Sequence, residues 1–490
     1  MSATNTPELK GRQDSIRAKT WELILYPAVI LGNNCFMLLM MIVSYYAAGI
    51  VGLGTVIVSF IITGSRILDG ITDPIIGYIV DKTNGKFGKV RLFLIMGFVI
   101  MAVSTILIYF TGHQVPEAMR MVYFAALYVV YIIGYTFYGI SAKAGSAILT
   151  KDPQQRPIFG AAQGIYLAIF AAGYSVILSN YLAPKYGGFG DPRLFQEFTV
   201  ISILSAGICL TLGLVAIWPK DRIENFGDGK PVKIKFKDMW PILKGNRPLQ
   251  MFIIAMATDK LSYQIQGNQA VNVMLFGIVI GNFALLGTMG AIVLIPNIIV
   301  ILFGMRHALK FGTRKGLVLA TWVALIATAL LFLVLWLGDP TQISLNNWGF
   351  MTIAFVTLYI LSTAVRMVPP AFIAPMVPDI VDYEAYRSGR FVPGIIASLY
   401  NFVDKIVSSL AQTIVGLLLA LIGFKTAFPD VDTPYSESIF WMTMFLSYGV
   451  LILGWIATLI SMKFYKLDKE KMQEIKVELE ERRRKNLTAG

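Results

Sequence analysis

Residues 64–91 read GSRILDGITDPIIGYIVDKTNGKFGKVR, an apolar run with charges in its interior followed by a polar, basic loop. Asp69 and Asp73 are four residues apart, so in a helix their carboxylates share one face. Asp69 lies about 18 Å along the helix axis from Asp81, which is near the middle of a bilayer. A charge at that depth is costly unless it is paired or hydrated, so it marks a functional site by default. The stretch therefore predicts a membrane-spanning helix that carries a buried polar site and ends at an inner loop.

The composition of the whole chain is that of a membrane protein. Of its 490 residues, 56% are hydrophobic and only 14% are charged, and the mean hydropathy is +0.66. Soluble proteins carry roughly 25% charged residues. Two cysteines, Cys35 and Cys209, are too few for a disulfide scaffold. The apolar excess extends from residue 21 to 463, which also excludes a receptor with a single span.

Twelve runs are long and apolar enough to cross a membrane, since a spanning helix needs about 20 residues. The first twenty residues are polar and lack the apolar core of a cleavable signal peptide, so the first run is expected to direct insertion. The predicted spans are 22–46, 54–80, 92–112, 120–148, 158–183, 198–219, 249–278, 283–305, 316–337, 349–377, 394–423 and 438–463.

The distribution of Lys and Arg predicts the orientation. With the N-terminus inside, the inner segments hold 33 basic residues and the outer loops hold 4. Because cytoplasmic loops carry the excess of positive charge, we expect a multi-pass protein of the cell membrane with both termini in the cytoplasm. The net charge of +13 does not indicate a nucleic-acid partner, because the basic residues are spread over all inner loops and form no single patch.

A long polar stretch divides the spans six and six. A Lys-Phe-Gly sequence beside a basic cluster follows the second span of each half, at 86–88 and 310–312. This pattern resembles the parallel repeat of the major facilitator fold, in which two halves rock around a site near the bilayer midplane. Short inner loops that are merely basic and rich in Gly are the alternative explanation. The expected parts of this all-α membrane protein of twelve helices are an N-terminal half, a cytoplasmic central loop, a C-terminal half and a cytoplasmic tail, at 1–219, 220–248, 249–463 and 464–490.

Several kinds of chemistry are missing from the sequence. No phosphate-binding G-x-x-x-x-G-K-[ST] loop occurs. The two histidines, His113 and His307, are expected at opposite membrane faces, and no Cys and His residues have the spacing of a zinc site. An enzyme and an ATP-driven pump are therefore not expected, and neither is a cofactor. A carrier of this kind uses an ion gradient or equilibrates its substrate.

The Lys- and Glu-rich tail is predicted to be a solvated amphipathic helix.

The acidic pair in the second span suggests a binding site for a coupling ion. Two carboxylates in a low dielectric repel each other, and a small cation or a shared proton relieves that repulsion. The alternative is a structural pair between Arg66 and Asp69, with Asp73 capping an inner gate beside Pro74. The residues alone leave both interpretations open.

Further charges lie within predicted spans. Lys405, about 16 Å inside the membrane, could tune the carboxylates of the second span. Its alternative role is a pair with Asp404, although adjacent helical residues do not face each other. Lys143 is a candidate for the pocket or for extension to the cytoplasmic surface. Arg366 is a pocket or gate candidate at mid-depth, and Asp259–Lys260 is expected to be structural.

Two separated motifs resemble the signatures of the glycoside–pentoside–hexuronide:cation symporter family. The first is RILDGITDPIIG at 66–77, followed by DKT and by GKFGKVR. The second is PDIVDYEAYRSGR at 378–390, before Lys405 in the next span. The motifs occur in the family's order, and the resemblance covers nearly the whole chain. The charged residues of these two regions that are assigned to gating are Asp81, Arg91, Asp379, Asp382 and Arg390.

The resemblance implies roles for individual residues. Asp69 and Asp73 match the cation-binding carboxylates, and Arg66 matches the basic residue before them. Tyr135-Thr136 matches a Tyr-Thr pair whose threonine contributes to a sodium site. Lys405 matches the family's lysine between the cation and sugar sites. Tyr135 is also a candidate for stacking on a sugar ring.

The sugar-binding positions depart from the family pattern. In place of an acid in the first span, this chain has Asn33 or Asn34. In place of an acid in the fourth span it has Gly139, and a tryptophan position nearby is Lys143. An arginine of the fifth span has no clear counterpart, and Gln163 is the nearest polar residue. The cation half of the site is therefore kept, whereas the sugar half is rebuilt.

We therefore expect a carrier that imports a glycoside in symport with Na⁺ or H⁺ by alternating access. Loss of acids from the pocket and the presence of Lys143 and Lys405 favour an acidic substrate such as a uronide. Na⁺ is favoured because Thr136 remains as an oxygen ligand. The expected partners are the substrate, the coupling ion and the bilayer, and the protein is expected to be a monomer. The main alternative is a lysolipid transporter of the same fold, and a sensor without transport is a third.

Overall fold

A computed structural model describes residues 17–83, 88–150, 155–222, 236–300, 312–366 and 369–488. The side chain of Asp81 and most of both Lys-Phe-Gly sequences lie outside the described residues. Within the described ranges the chain is helical and forms no β-strand, apart from one isolated bridge between Ser344 and Asn347. The all-α class predicted from the sequence is confirmed.

The first compact unit comprises Met1–Gly229 together with Gly423–Phe428. The short second segment packs at the start of a long helix, where Thr55 Oγ1 donates to the Phe424 carbonyl oxygen at 2.7 Å. The long helices of this unit are α1 Ala28–Met40, α2 Thr55–Lys82, α3 Val90–Ile106, α4 Glu117–Leu149, α5 Arg156–Val176 and α6 Pro192–Ile217. Shorter helical segments are Thr20–Leu25, Val43–Tyr45, Tyr46–Ile50, Leu107–Thr111, Gly112–Gln114, Ile177–Leu182 and Ala183–Tyr186.

The second compact unit comprises Lys230–Ile422 and Pro429–Gly490. Its main helices are α7 Arg247–Gln266, α8 Ala284–Ile292, α9 Thr313–Leu337, α10 Phe350–Arg366, α11 Pro369–Ser388, α12 Pro393–Leu421, α13 Glu437–Met444, α14 Val450–Phe464 and α15 Lys469–Thr488. Shorter helical segments are Phe236–Gly245, Gln269–Asn272, Val273–Val279, Pro340–Gln342 and Phe445–Gly449.

The lengths of these helices fit repeated membrane crossing. In the described part of the chain, nine helical stretches are long and apolar enough to span, and a pair bent by 109°, Gln269–Val279 with Ala284–Val300, adds a tenth if it is one span. α7 is less apolar than a usual span because Asp259 and Lys260 lie in its interior. α10 has 17 residues. The count of twelve spans stays a prediction.

α3 and α4 pack with their backbones in contact. A Cβ atom on Gly97 would lie 2.7 Å from the Gly134 carbonyl oxygen and 2.7 Å from the Tyr138 backbone nitrogen. Neither of these backbone atoms moves without moving α4, so glycine is required at position 97. Small residues at such crossings let membrane helices approach closely enough for dispersion forces to hold them together. This contact fixes the position of the α4 turn that carries residues 135–139.

The tail helix α15 is docked rather than fully solvated. Its Met472 and Ile475 are buried in one apolar cluster with Ile380 of α11. Arg482 of α15 donates to the Tyr386 carbonyl oxygen at 2.9 Å. The prediction of a solvated tail is therefore wrong for this face, because two apolar residues at helical spacing, diluted among Lys and Glu, are enough to anchor it.

Candidate functional site

Asp69 of α2 contacts Thr136 of α4 inside the first unit. Thr136 Oγ1 donates a hydrogen bond of 2.5 Å to Asp69 Oδ1, and Thr136 is only 3% exposed. The two helices pack directly against each other, so the threonine on the buried face of α4 is held against the carboxylate. The structure thus joins two of the three residues that the sequence assigned to cation binding.

Asp73 lies one helical turn beyond Asp69, and both residues are half-buried. Pro74 lies inside the same helix. Because proline has no N–H, the carbonyl oxygen of Gly70 lacks its usual helical donor. This part of the unit therefore contains carboxylate, hydroxyl and carbonyl oxygens, which are the ligands of hard cations. Among the described residues, no group of three or more His, Cys, Asp or Glu side chains could hold a metal ion, so the donor set does not resemble a transition-metal centre.

Arg66 has a partner on α4 in addition to its neighbours on α2. Its side chain hydrogen-bonds to the Tyr128 hydroxyl, which also interacts electrostatically with Asp69. Tyr128, Tyr131 and Tyr135 recur at helical spacing, with successive ring centroids 6.0 and 6.2 Å apart. The positive charge is therefore held against a row of tyrosines, one helical turn from Asp69 and two turns from Asp73.

Of the two asparagines assigned to sugar binding, Asn33 is the one that approaches α4. Its Nδ2 lies 3.5 Å from the position that a Cβ atom on Gly139 would occupy. Its Oδ1 is buried and has no hydrogen-bond partner among the described residues. Asn34 instead donates to the Ile30 carbonyl oxygen of its own helix at 2.8 Å. Asn33 and Gly139 are therefore adjacent, whereas the Asn34 amide is directed back to α1.

The other substrate-binding candidates of the first unit are half-buried or exposed. Tyr135 and Gln163 are half-buried on α4 and α5. Lys143 is exposed and lies about 10 Å along α4 from Thr136. Its exposure fits both of the roles considered for it, in a pocket and at the cytoplasmic surface.

In the second unit, Lys405 is half-buried on α12. The preceding residue, Asp404, is directed to α7, where its Oδ1 lies 3.6 Å from Lys260 Nζ. Asp404 therefore has a partner on α7. Lys260 has an interhelical partner that the sequence did not indicate, because the two residues are 144 positions apart.

Arg366, at the end of α10, is also held within the second unit. Its Nη1 donates to Gln266 Oε1 at 2.7 Å, and its guanidinium lies 5.4 Å from the centre of the Tyr263 ring. It interacts electrostatically with Asp259, whose carboxyl in turn hydrogen-bonds to Trp455. Arg366 therefore joins the Asp259–Lys260 pair in one polar region of this unit.

Arg91, assigned to gating, is paired with a residue that the sequence analysis missed. Its Nε lies 3.1 Å from Asp221 Oδ2, and its guanidinium lies 4.2 Å from the Trp218 ring. The Asp221 carboxylate, which is fully buried, also accepts the backbone N–H groups of Lys89, Val90 and Arg91 at 2.9–3.1 Å. Asp221 thus caps α3 from the end of α6. Asp221 is a single acid in a polar stretch and belongs to no motif, so no pattern in the sequence indicated its role.

The second region assigned to gating lies on α11 and just beyond its C-terminal end. Burial raises the pKa of the Asp379 carboxyl, and the nearby negative charge of Asp382 adds to this shift, whereas Lys476 opposes it. Arg390 is exposed. Glu384, which the sequence analysis did not single out, is 1% exposed. It accepts hydrogen bonds of 2.8 and 2.9 Å from Asn246 and Arg387. A buried ionic contact at the end of α11 is therefore made by Glu384.

Comparison with known proteins decides the family. A family model described as MFS/sugar transport protein matches residues 28–469. The chain belongs to this family. This chain is therefore a multi-pass membrane transporter and not an enzyme, and its resemblance to the glycoside–pentoside–hexuronide:cation symporters is confirmed.

The names of individual relatives agree with this family assignment for the chain. It is 24% identical to "Putative glycoside/cation symporter YagG" of Escherichia coli, over 79% of this chain and 80% of the relative. It is 23% identical to "Glucuronide carrier protein homolog" of the same organism, over 90% and 91%. A bacterial homologue of the lysosomal transporter Spinster, solved in an inward-facing conformation, matches with a TM-score of 0.60 and 13% identity, over 94% and 99%. This last likeness supports the major facilitator fold alone.

Proposed function

We propose that this protein imports a glycoside together with Na⁺ by alternating access. The observation that carries the proposal is the contact of Thr136 with Asp69, one turn from Asp73, within a transporter of the sugar-transport family. A relative named as a putative glycoside/cation symporter supports the same assignment. The proposed arrangement has both termini and the loop at 220–248 in the cytoplasm of a monomer in the cell membrane.

The charges around α2 favour a cation as the coupling ligand. Asp69 and Asp73 contribute two carboxylates one helical turn apart, and Arg66 contributes one guanidinium on the same helix. A bound cation completes the neutralisation that a low dielectric demands. Na⁺ is proposed rather than H⁺ because the Thr136 hydroxyl and the Gly70 carbonyl, which lacks its usual helical donor, supply oxygen ligands that a proton does not need.

We further propose that the glycoside is acidic. Asn33 and Gly139 are the neutral residues present where the family pattern has acids, and an uncharged pocket wall does not repel an anion. Lys143 and Lys405 add positive charge. The relative named as a glucuronide carrier homologue is consistent with this class of substrate. We assign Asn33, Tyr135, Gly139, Lys143, Gln163 and Lys405 to the substrate, and Asp81, Arg91, Asp379, Asp382 and Arg390 to the inner gate.

Uptake into right-side-out vesicles tests whether the substrate is acidic and whether it is a glycoside or a lipid. With an inward sodium gradient, we expect 4-nitrophenyl β-glucuronide to be accumulated in preference to 4-nitrophenyl β-glucoside. Lys143→Ala should lower that preference about tenfold, which is the value of one charge-assisted contact. The control is Lys185→Ala, which removes a lysine paired with Glu197 near the outer end of α6. Equal uptake of both compounds, unchanged in Lys143→Ala, would refute the proposal that the substrate is acidic. Uptake of a lysolipid without uptake of any glycoside would favour the lipid transporter instead.

A further inference from the structure

Several buried hydrogen-bond donors without acceptors are carried by elements of the second unit that pack around the end of α7. Among the buried side-chain groups of this unit without a hydrogen-bond partner in the described residues are Arg366 Nε, Gln412 Nε2, Gln269 Nε2 and the Tyr448 hydroxyl. We call these four residues the donor cluster. Three of the four groups can only donate a hydrogen bond. A buried donor without an acceptor is costly, so the cluster is suited to an acceptor supplied by a ligand.

Residues at the end of α7 link the cluster together. Gln266, the last residue of α7, accepts from Arg366 at 2.7 Å. Asn268, two residues later, donates to Gln412 at 2.7 Å, and Gln269 follows directly. The segment Phe445–Gly449, which carries Tyr448, packs against α7 and against Gln269–Asn272. Helices α10 and α12 and the chain after α7 thus contribute to one polar region.

The hydrogen bonds fix the orientation of the Gln412 amide. Asn268 Oδ1 already accepts the backbone N–H of Ala270 at 2.9 Å, so its other end, Nδ2, faces Gln412. Gln412 therefore accepts this hydrogen bond with its Oε1, and its Nε2 faces away from Asn268. The free group at this position is therefore a donor and not an acceptor.

The charges of this region favour an anion with two oxygens. Arg366 carries a positive charge, and the three other groups of the donor cluster are neutral. A carboxylate brings one negative charge and accepts several hydrogen bonds, whereas a neutral hydroxyl leaves the charge uncompensated. The planar arginine side chain is suited to carboxylates because its N–H groups form a fork.

We propose that Arg366, Gln412 and Gln269 bind the carboxylate of the transported acidic glycoside. This assignment rests on the proposed function and goes further, because it places the recognition of the acid group in the second unit, on residues outside both family signatures. Arg366 then adds to the preference for an acidic sugar that is proposed above for Lys143.

Binding of two matched compounds tests this site. Full-length protein, purified in detergent with Na⁺, would be titrated with 4-nitrophenyl β-glucuronide and with 4-nitrophenyl β-glucoside, which differ only in the carboxylate. We expect Arg366→Gln to weaken glucuronide binding about 10–100-fold, as for a lost charged hydrogen bond, and glucoside binding less than threefold. Arg366→Lys should retain part of the preference, because it keeps the charge and loses the fork. Arg482→Gln, a tail arginine paired with Glu478, is the matched control and should bind as wild type.

Gln412→Glu is the sharper variant. It keeps the oxygen that accepts from Asn268 and replaces the free donor by a negative oxygen, so the local packing is preserved. We expect it to abolish glucuronide binding while glucoside binding survives, which also shows that the protein is folded. If Arg366→Gln and Gln412→Glu leave the ratio of the two affinities unchanged while wild type binds both compounds, the carboxylate site is refuted and glycoside transport stands. If wild type binds neither compound, the proposed function is refuted together with the site.

Discussion

We expect Asp73→Ala to abolish sodium-driven accumulation of the substrate. The substitution removes one of the two proposed carboxylate ligands, and with it negative charge and coordinating oxygens that favour a cation. A symporter concentrates its substrate only because ion and substrate raise each other's affinity. A tenfold sodium gradient drives about tenfold accumulation when one ion moves with one sugar, since a factor of ten corresponds to about 1.4 kcal/mol. In the variant this ratio should fall to about one, while downhill exchange of the sugar persists.

The measurement is the ratio of internal to external sugar in proteoliposomes that have an inward sodium gradient. Asp339→Ala is a suitable control, because Asp339 lies between α9 and α10 and its carboxylate accepts from the Thr341 backbone and hydroxyl. These hydrogen bonds lower the pKa of Asp339, and the control likewise removes one acidic side chain. Full accumulation by Asp73→Ala would contradict its assignment to the cation site.

Asp221→Ala is expected to cause the largest loss of stability among the acidic residues discussed above. The side chain is fully buried, accepts three backbone N–H groups at the start of α3 and pairs with Arg91. Removing it leaves a largely buried guanidinium and three donors without their acceptor. Breaking such a buried pair costs about 3–5 kcal/mol. The thermal unfolding of purified protein should therefore shift clearly downward.

Asp191→Ala provides a matched comparison for that effect. Asp191 also caps a helix, since it accepts from the Arg193 backbone at 2.8 Å, and it also pairs with the arginine side chain. This arginine is exposed, however, and water replaces the lost contacts. We expect Asp191→Ala to change the unfolding temperature much less than Asp221→Ala. Equal shifts in the two variants would show that the buried cap has no special role.

The proposed cation site rests largely on sequence signals that are local. The pair of carboxylates at positions 69 and 73 lies four residues apart in an apolar run, and such charges are costly enough to be informative by themselves. Thr136 could be added only through the family resemblance, since a threonine in an apolar helix has no distinctive pattern. The structure supports that addition with a direct hydrogen bond.

The remaining contacts could not be predicted because their partners are distant in the chain. Lys260 and Asp404 are in different helices, and Arg91 is 130 positions from Asp221. The docking of the tail depends on Met472 and Ile475 within a charged segment. The donor cluster consists mainly of amides and a hydroxyl, which are common in many settings. It becomes apparent only once hydrogen-bond partners can be counted.

Sodium dependence of sugar binding tests the central claim, that oxygens of α2 and α4 hold the coupling ion. Purified wild type would be titrated with 4-nitrophenyl β-glucuronide in Na⁺ and in choline, together with Thr136→Val, which removes the hydroxyl at nearly constant volume. We predict at least tenfold tighter binding in Na⁺ for wild type, and a distinctly smaller sodium effect in Thr136→Val. Equal affinity in Na⁺ and choline for wild type would contradict the account.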